Sequence, residues 1–100
     1  MNCFDGKVVV ITGAGSGIGR ALAQQLAARG ARLALSDVNA QSLEETRKSL
    51  AKGTRAIAYT LDVSSREAVF AHAEAVRRDF GTAHFLINNA GVTIVGTIAH

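Results

Sequence analysis

The sequence contains no proline and only one cysteine, Cys3, in 100 residues. A single cysteine cannot close an internal disulfide, and no histidine lies near it in sequence to activate the thiol, so Cys3 reads as an inert near-terminal residue. Long hydrophobic runs are missing too. The longest, such as residues 7–11 (KVVVI), fall far short of the ~20 apolar residues that cross a bilayer. The opening residues MNCFDGK carry no signal-peptide core. These absences exclude a disulfide scaffold and a transmembrane helix, and predict a cytoplasmic protein with no membrane partner. Charge of one sign is nowhere concentrated. The net charge is +3, yet the basic residues stand singly or in pairs (Arg47-Lys48, Arg77-Arg78), with acids between them and no aromatics beside them. That pattern is a solvated surface, not a nucleic-acid face. His72, His84 and His100 have neither i,i+4 partners nor cysteine neighbours, so no metal site is expected.

What the chain does have is 48% hydrophobic residues against 19% charged, which excludes a disordered or low-complexity segment and requires a packed core. Its length makes residues 1–100 one domain or part of one. Residues 7–12 (KVVVIT) are β-branched and nearly all apolar, the pattern of a strand covered on both faces of a parallel sheet. Residues 13–19 form a turn. Beyond it Ile18, Leu22 and Leu26 recur at i, i+4, i+8 and predict a first helix, with Gly30 just past its end. Residues 32–36 (RLALS) predict a second strand. Asn39 is the expected N-cap of a second helix through Lys52, with a Glu44–Lys48 pair and a thin inner stripe of Leu43 and Leu50. Residues 55–61 (RAIAYTL) predict a third strand. Ser64-Ser65-Arg66-Glu67 reads as a capping box, opening a third helix that turns Val69, Ala73, Val76 and Phe80 inward and stops at Gly81. Residues 84–88 (HFLIN) complete a β-α-β-α-β-α-β series. Such alternation demands right-handed crossovers and an α/β doubly wound parallel sheet, with the third helix alone on its face. Residues 92–100 hold no cap or breaker, so the fold is expected to be truncated after the fourth strand and to leave it as an unpaired edge.

Between the first strand and first helix lies Thr12-Gly13-Ala14-Gly15-Ser16-Gly17-Ile18-Gly19. A glycine turn that opens a helix presents free N–H groups and a positive dipole end to an anion, and a pyrophosphate fits there. Gly13 permits the tight turn, Gly17 lets backbone approach the phosphates, and Gly19 lets the helix pack close to the strand. The spacing is G-x-x-x-G-x-G and not G-x-G-x-x-G, and a P-loop is excluded because no glycine pair at i,i+5 is followed by Lys and Ser/Thr. Asp37 ends the second strand 18 residues after Gly19, where a carboxylate can accept from both ribose hydroxyls and repel a 2′-phosphate. Asp62, ending the third strand, is a candidate acceptor for an adenine amino group. A methyltransferase using S-adenosylmethionine shares the glycine turn and the ribose acid, but usually has an acid just before the turn, where Ile11-Thr12 stand here. A nucleotide-binding sensor, or a truncated form with no activity of its own, is the other alternative.

Together these residues resemble the short-chain dehydrogenases/reductases. That family's Rossmann-type domain carries T-G-x-x-x-G-x-G, an acid after the second strand in NAD-preferring members, D-V after the third and N-N-A-G after the fourth. The four stand here as residues 12–19, Asp37, Asp62-Val63 and Asn88-Asn89-Ala90-Gly91. The resemblance implies strand order 3-2-1-4, with Gly13, Ser16, Gly17, Ile18 and Gly19 lining the pyrophosphate and adenine ribose and Asp37 holding the ribose. It implies that Asp62 and Val63 meet the adenine and that Asn89, Ala90 and Gly91 pass beside the nicotinamide ribose, with Asn88 and Asn89 tying the central strand through their side chains. NAD is expected over NADP, because neither Ser16 nor Val38, where NADP-preferring relatives carry basic residues, offers a cation. A small alcohol or ketone substrate and a homo-oligomer are implied for the complete protein. The family's chemistry also needs a serine and a Tyr-x-x-x-Lys pair. The one tyrosine, Tyr59, is followed four residues on by Val63, so no catalytic residue is expected here. The chain reads as the cofactor-binding half of an oxidoreductase, inactive alone.

Overall fold

The computed structural model describes residues 4–62, 64–88 and 91–94. Its four parallel strands are β1 (Val8–Thr12), β2 (Arg32–Asp37), β3 (Ala56–Thr60) and β4 (Phe85–Asn88), joined through α1 (Gly17–Ala28), α2 (Ala40–Lys48) and α3 (Arg66–Phe80). They lie in the order β3-β2-β1-β4, the doubly wound arrangement expected. Val10 is level with Ala34 on one side and Leu86 on the other, which makes β1 the central strand. All four residues 8–11 are buried, as a strand covered on both faces requires.

Alternation along the strands sorts the core into two layers. Val9, Ile11, Leu33 and Leu35 pack with Ala23, Leu26, Ala27 and Leu43 beneath α1 and α2. Val8, Val10 and Ala34 face the other way, onto Val76, Phe80 and Ala83 beside α3. The second layer is the smaller, as one helix alone on a face predicts.

The structure corrects several local expectations. The inner stripe of α1 is Gly19, Ala23, Leu26 and Ala27, not Ile18, Leu22 and Leu26, because small residues let the helix settle onto the sheet and roll Ile18 outward. Helix α2 ends at Lys48, four residues early: the Ser49 N–H turns back to Glu45 and Thr46, and the Ser49 hydroxyl donates to the Thr46 carbonyl at 2.7 Å. Glu44 pairs with Arg47, one residue nearer than Lys48. The N-cap of α3 is Ser65, whose hydroxyl accepts from the Ala68 N–H, while Ser64 is drawn away by Asp62. Val76 and Phe80 are buried, but Val69 and Ala73 are exposed, so the helix presents a face rotated from the one the spacing indicates.

The fourth strand is not an open edge. A fifth strand, β5 (Gly91–Ile94), pairs antiparallel with it, Asn88 opposite Gly91 and Phe85 opposite Ile94. The β-branched run Val92-Thr93-Ile94 suits a strand, and the backbone groups on the outer side of β4 need partners. The chain therefore continues past the expected truncation point within the sheet.

Candidate functional site

Parallel strands end together, so their carboxyl ends share one edge of the sheet. Thr12 closes β1, Asp37 closes β2, Asn88 closes β4, and Asp62 lies two residues past β3. The Leu61 N–H donates to the Asp37 carbonyl at 2.9 Å, which brings the chain around Asp62 against the end of β2. The sequence motifs are thus gathered at one place.

The glycine turn is the most constrained element there. Gly13 and Gly17 have φ of 66° and 57°, in the left-handed region that strains any residue with a Cβ. Between them the backbone of residues 14 and 15 is bound inward on all four polar groups. The Ala14 N–H donates to the Ser36 carbonyl at 2.9 Å, and the Ala14 carbonyl accepts from the hydroxyl of buried Thr46 at 2.8 Å. The Gly15 N–H donates to Asp37 Oδ2 at 2.9 Å, and the Gly15 carbonyl accepts from Arg20 Nη2 at 2.6 Å. Helix α1 sits directly on this turn: a Cβ at position 19 would overlap the Gly13 carbonyl, 2.8 Å from its carbon and 3.0 Å from Ala14 Cα.

Beyond Gly15 the chain opens to solvent, and Ser16, Gly17 and Ile18 are exposed. Asn39 and Ser65 cap α2 and α3 through their side chains, whereas Ser16, in extended conformation, makes no such bond to α1. The first N–H groups of α1 are left without side-chain acceptors at the positive end of the helix dipole. A Cβ at position 17 would meet nothing within 4 Å. Open space, free donors and close backbone approach are what a pyrophosphate needs, so the turn fits a dinucleotide.

Asp37 stands at the rim of this cradle, half-buried. Besides Gly15, its carboxylate accepts from the Asn39 N–H through Oδ1 at 3.0 Å. A carboxylate has roughly four acceptor sites, which leaves capacity for two ribose hydroxyls. Exposed Asp62 accepts through Oδ1 from the Ser64 N–H at 2.9 Å and the Ser64 hydroxyl at 2.6 Å, and these bonds hold its pKa below the ordinary 3.8. It shapes the turn into α3. Ile18 and Val38 are 79% and 70% exposed; two bare apolar side chains flanking the turn and Asp37 offer contact surface for flat rings. The expectations for Val63, Asn89 and Ala90, and for the side chain of Asn88, fall outside the described residues, while Gly91 opens β5.

Tyr59 is a packing residue, as its place in the third strand indicates. Its hydroxyl donates to Asp79 Oδ2 at 2.7 Å, its ring meets His72 edge-on, and burial together with the Asp79 carboxylate pushes its pKa upward. Among the described residues no group of three His, Cys, Asp or Glu side chains could hold a metal ion, and no helix is long and apolar enough to cross a membrane. Sequence reasoning missed Gly15, Arg20 and Thr46. Gly15 is fixed by space, since a Cβ there would lie 2.8 Å from Asp37 Oδ2 and 3.0 Å from Ser42 Cβ. Thr46 was visible in principle, falling on the inner stripe between Leu43 and Leu50. Arg20 carries no spacing signal, because its side-chain partners are 25 or so residues away on α2.

Comparison with known proteins agrees with this geometry. The family model described as short chain dehydrogenase matches residues 7–100. The SadH protein of Mycobacterium tuberculosis strain H37Rv is 54% identical over 99 residues, covering 98% of this chain and 36% of its own length. The meso-2,3-butanediol dehydrogenase of Serratia marcescens is 43% identical over 95 residues, 95% of this chain and 38% of that protein. A solved short-chain dehydrogenase/reductase from Burkholderia phymatum, in complex with NAD, matches with a TM-score of 0.81 at 47% identity, over 86% of this chain and 31% of that one. The chain spans a little over a third of the length of these curated relatives. With the match running from β1 to the last residue, over a sheet of the same kind and a glycine turn of the expected build, the chain belongs to the short-chain dehydrogenase/reductase family.

Proposed function

We propose that residues 1–100 are a single dinucleotide-binding domain, the NAD(H)-holding part of an oxidoreductase that moves hydride between nicotinamide and a small secondary alcohol or carbonyl compound. The observation that carries this reading is the uncapped start of α1 above a turn whose inner polar groups are all engaged, with the Asp37 carboxylate at its rim. Gly13, Ser16, Gly17, Ile18 and Gly19 hold the pyrophosphate and the adenosine ribose, and Asp37 accepts from the ribose hydroxyls. Asp62 and Val63 meet the adenine, and Asn89, Ala90 and Gly91 run beside the nicotinamide ribose. When bound, the nicotinamide supplies the hydride acceptor or donor; this chain's own residues bind and orient it.

The preference is for NAD over NADP. Asp37 repels a 2′-phosphate, and Ser16 and Val38 offer no cation. Arg20, which reaches the turn, is already engaged: Nε donates to Thr46 Oγ1 at 2.8 Å and Nη2 to the Gly15 and Ser42 carbonyls at 2.6 and 3.1 Å. The NAD-bound relative supports the same reading. No tyrosine here is followed four residues on by lysine, so the proton-moving groups belong to the rest of the whole protein. A cytoplasmic setting, suited to a chain with one cysteine, and self-association of the whole protein complete the proposal. The test is a fluorescence titration of the whole protein with NADH and NADPH, followed by assay of NAD reduction with a panel of secondary alcohols. Saturable binding with NADH the tighter ligand is expected; failure to bind either nucleotide refutes the reading.

A further inference from the structure

Of the two peptide units inside the glycine turn, the first is held at both of its polar groups and the second at its carbonyl alone. A trans peptide is planar, with its C=O and N–H pointing in opposite directions. The Ala14–Gly15 unit has its carbonyl on the Thr46 hydroxyl at 2.8 Å and its N–H on Asp37 Oδ2 at 2.9 Å. The next unit has its carbonyl on Arg20 Nη2 at 2.6 Å, so its N–H, that of exposed Ser16, is turned toward the open cradle. Arg20 is itself aimed: Nε donates to Thr46 Oγ1 at 2.8 Å, and Nη2 also reaches the Ser42 carbonyl at 3.1 Å and Glu45 Oε1 at 3.4 Å. Thr46 is wholly buried on α2. One hydroxyl thus accepts from the arginine and donates to the turn, and α2, which touches neither end of the glycine motif in sequence, fixes the orientation of both peptides.

We propose that Arg20 and Thr46 are positioning residues for the dinucleotide phosphates: the Thr46 hydroxyl orients Arg20, and Arg20 holds the Gly15 carbonyl inward so that the Ser16 N–H faces the anion. The proposal rests on the cofactor reading above. Without the guanidinium the Gly15–Ser16 peptide is free to rotate, and a carbonyl oxygen turned outward would repel the phosphate that the N–H attracts. Thr46→Val keeps the shape but deprives the Ala14 carbonyl of its donor and Arg20 Nε of its acceptor; Thr46→Ser keeps the hydroxyl. Arg20→Met keeps the aliphatic stem and removes every donor.

The experiment measures Kd for NADH on the whole protein, and Kd for ADP and for adenosine by competition, in wild type and the three variants, alongside urea unfolding. Arg20→Met and Thr46→Val should weaken NADH and ADP about tenfold, the scale of one lost oriented hydrogen bond to a charged group. Adenosine, which has no phosphate, should change less than about twofold, within the scatter expected for an interaction left intact. Thr46→Ser should restore ADP binding. Equal weakening of ADP and adenosine, tracking a loss of stability, overturns the proposal in favour of a merely structural brace, as does unchanged ADP affinity in Arg20→Met. Should Thr46→Val fail to fold, Arg20→Met, whose side chain is one-third exposed, carries the same comparison. A wild-type protein that binds neither NADH nor ADP overturns the cofactor reading and this proposal with it, whereas a wild type that binds both while the variants match it overturns this proposal alone.

Discussion

Adding one methyl group at Gly17 and at Gly19 should damage different things, although the two positions are two residues apart. At Gly19 the new Cβ would overlap the Gly13 carbonyl and lie 3.0 Å from Ala14 Cα. Both neighbours are backbone, pinned by β1 and by the bonds of the turn, so the helix must lift from the sheet and loosen Ala23, Leu26 and Ala27 below it. Overpacking of this kind costs about 1–3 kcal/mol, and a rigid obstacle puts Gly19→Ala at the upper end. In a domain of this size that is a fall in Tm of roughly 10–20 °C. At Gly17 nothing lies within 4 Å of a new Cβ, and only the φ of 57° resists it. Left-handed strain is worth about 1–2 kcal/mol, so Gly17→Ala should stay folded with a loss of about 5–10 °C. On the proposed cofactor reading, its methyl group would nonetheless fill the space through which the phosphates approach. Thermal unfolding followed by circular dichroism, with NADH titration of the same samples below the transition, separates the two effects. Gly19→Ala should be the less stable protein and Gly17→Ala the one that does not bind. If Gly17→Ala binds NADH within a factor of a few of wild type, the turn is not the phosphate site; if Gly19→Ala matches wild-type stability, the close contact of α1 with the turn is not real.

Asp37→Ala should narrow the preference for NADH over NADPH by about 1–3 kcal/mol, the worth of a charge-assisted hydrogen bond; paired titrations check it, and an unchanged ratio would remove Asp37 from the ribose. Stability should fall as pH drops below about 6.5. Burial lowers the pKa of both His72 and His84 from 6.5, helped at His84 by Lys7 and Arg32, and His84 Nδ1 accepts from the Val8 N–H at 3.0 Å. The unfolded chain therefore takes up protons that the folded one resists, so stability is full above pH 6.5 and declines as pH drops through the window below it. The lowered carboxylates, Glu44 held below 4.5 by Arg47 and Asp62 and Asp79 below 3.8, lose their stabilisation at more acid pH than the histidines. Urea midpoints from pH 8 to 5 measure the decline, and a flat profile would contradict it. Residues 1–100 expressed alone should show no turnover of NAD with secondary alcohols and only marginal stability, because α3 leaves Val69 42% and Phe70 65% exposed. A cooperative monomer melting near ~60 °C would contradict the second part, and turnover abolished by Tyr59→Phe the first.

The parallel sheet was legible because its evidence is periodic and local. A β-branched run such as residues 8–11, buried on both faces, leaves no polar alternation to mislead. Helix ends with a dedicated device were legible too, Asn39 accepting from the Ser42 N–H and Gly81 standing in the left-handed region as the stop of α3. Helix faces were not. In α1 the large residues Ile18 and Leu22 outweigh glycine and alanine on any hydrophobic scale, yet the contact of Gly19 with the turn decides which side lies down. In α3, Val69 and Ala73 lose to Val76 and Phe80 because only the latter reach Val8, Val10 and Ala34. Both errors have one cause: periodicity reports that a stripe exists, while what the helix meets beneath it, the turn backbone under α1 and the strand side chains under α3, sets its angle.

The same distinction runs through the site. The motif residues, Gly13, Gly17, Gly19 and Asp37, are legible because each is demanded by a local condition: a positive φ, a close contact, or a carboxylate at a strand end. Arg20 and Thr46 satisfy no local condition. Their need arises only when α2 packs beside α1 and leaves two carbonyls of the turn facing a buried hydroxyl and a guanidinium. A buried carbonyl without a donor costs about 1–3 kcal/mol, so some donor had to come from whatever element covers the turn. What sequence alone withheld was which element that is. The covering helix is α2, and its thin apolar stripe, Leu43 with Leu50 at the margin, is thin because the position between them is spent on a hydroxyl. A weak hydrophobic face over a glycine turn is therefore a sign that the helix is holding backbone rather than only burying side chains.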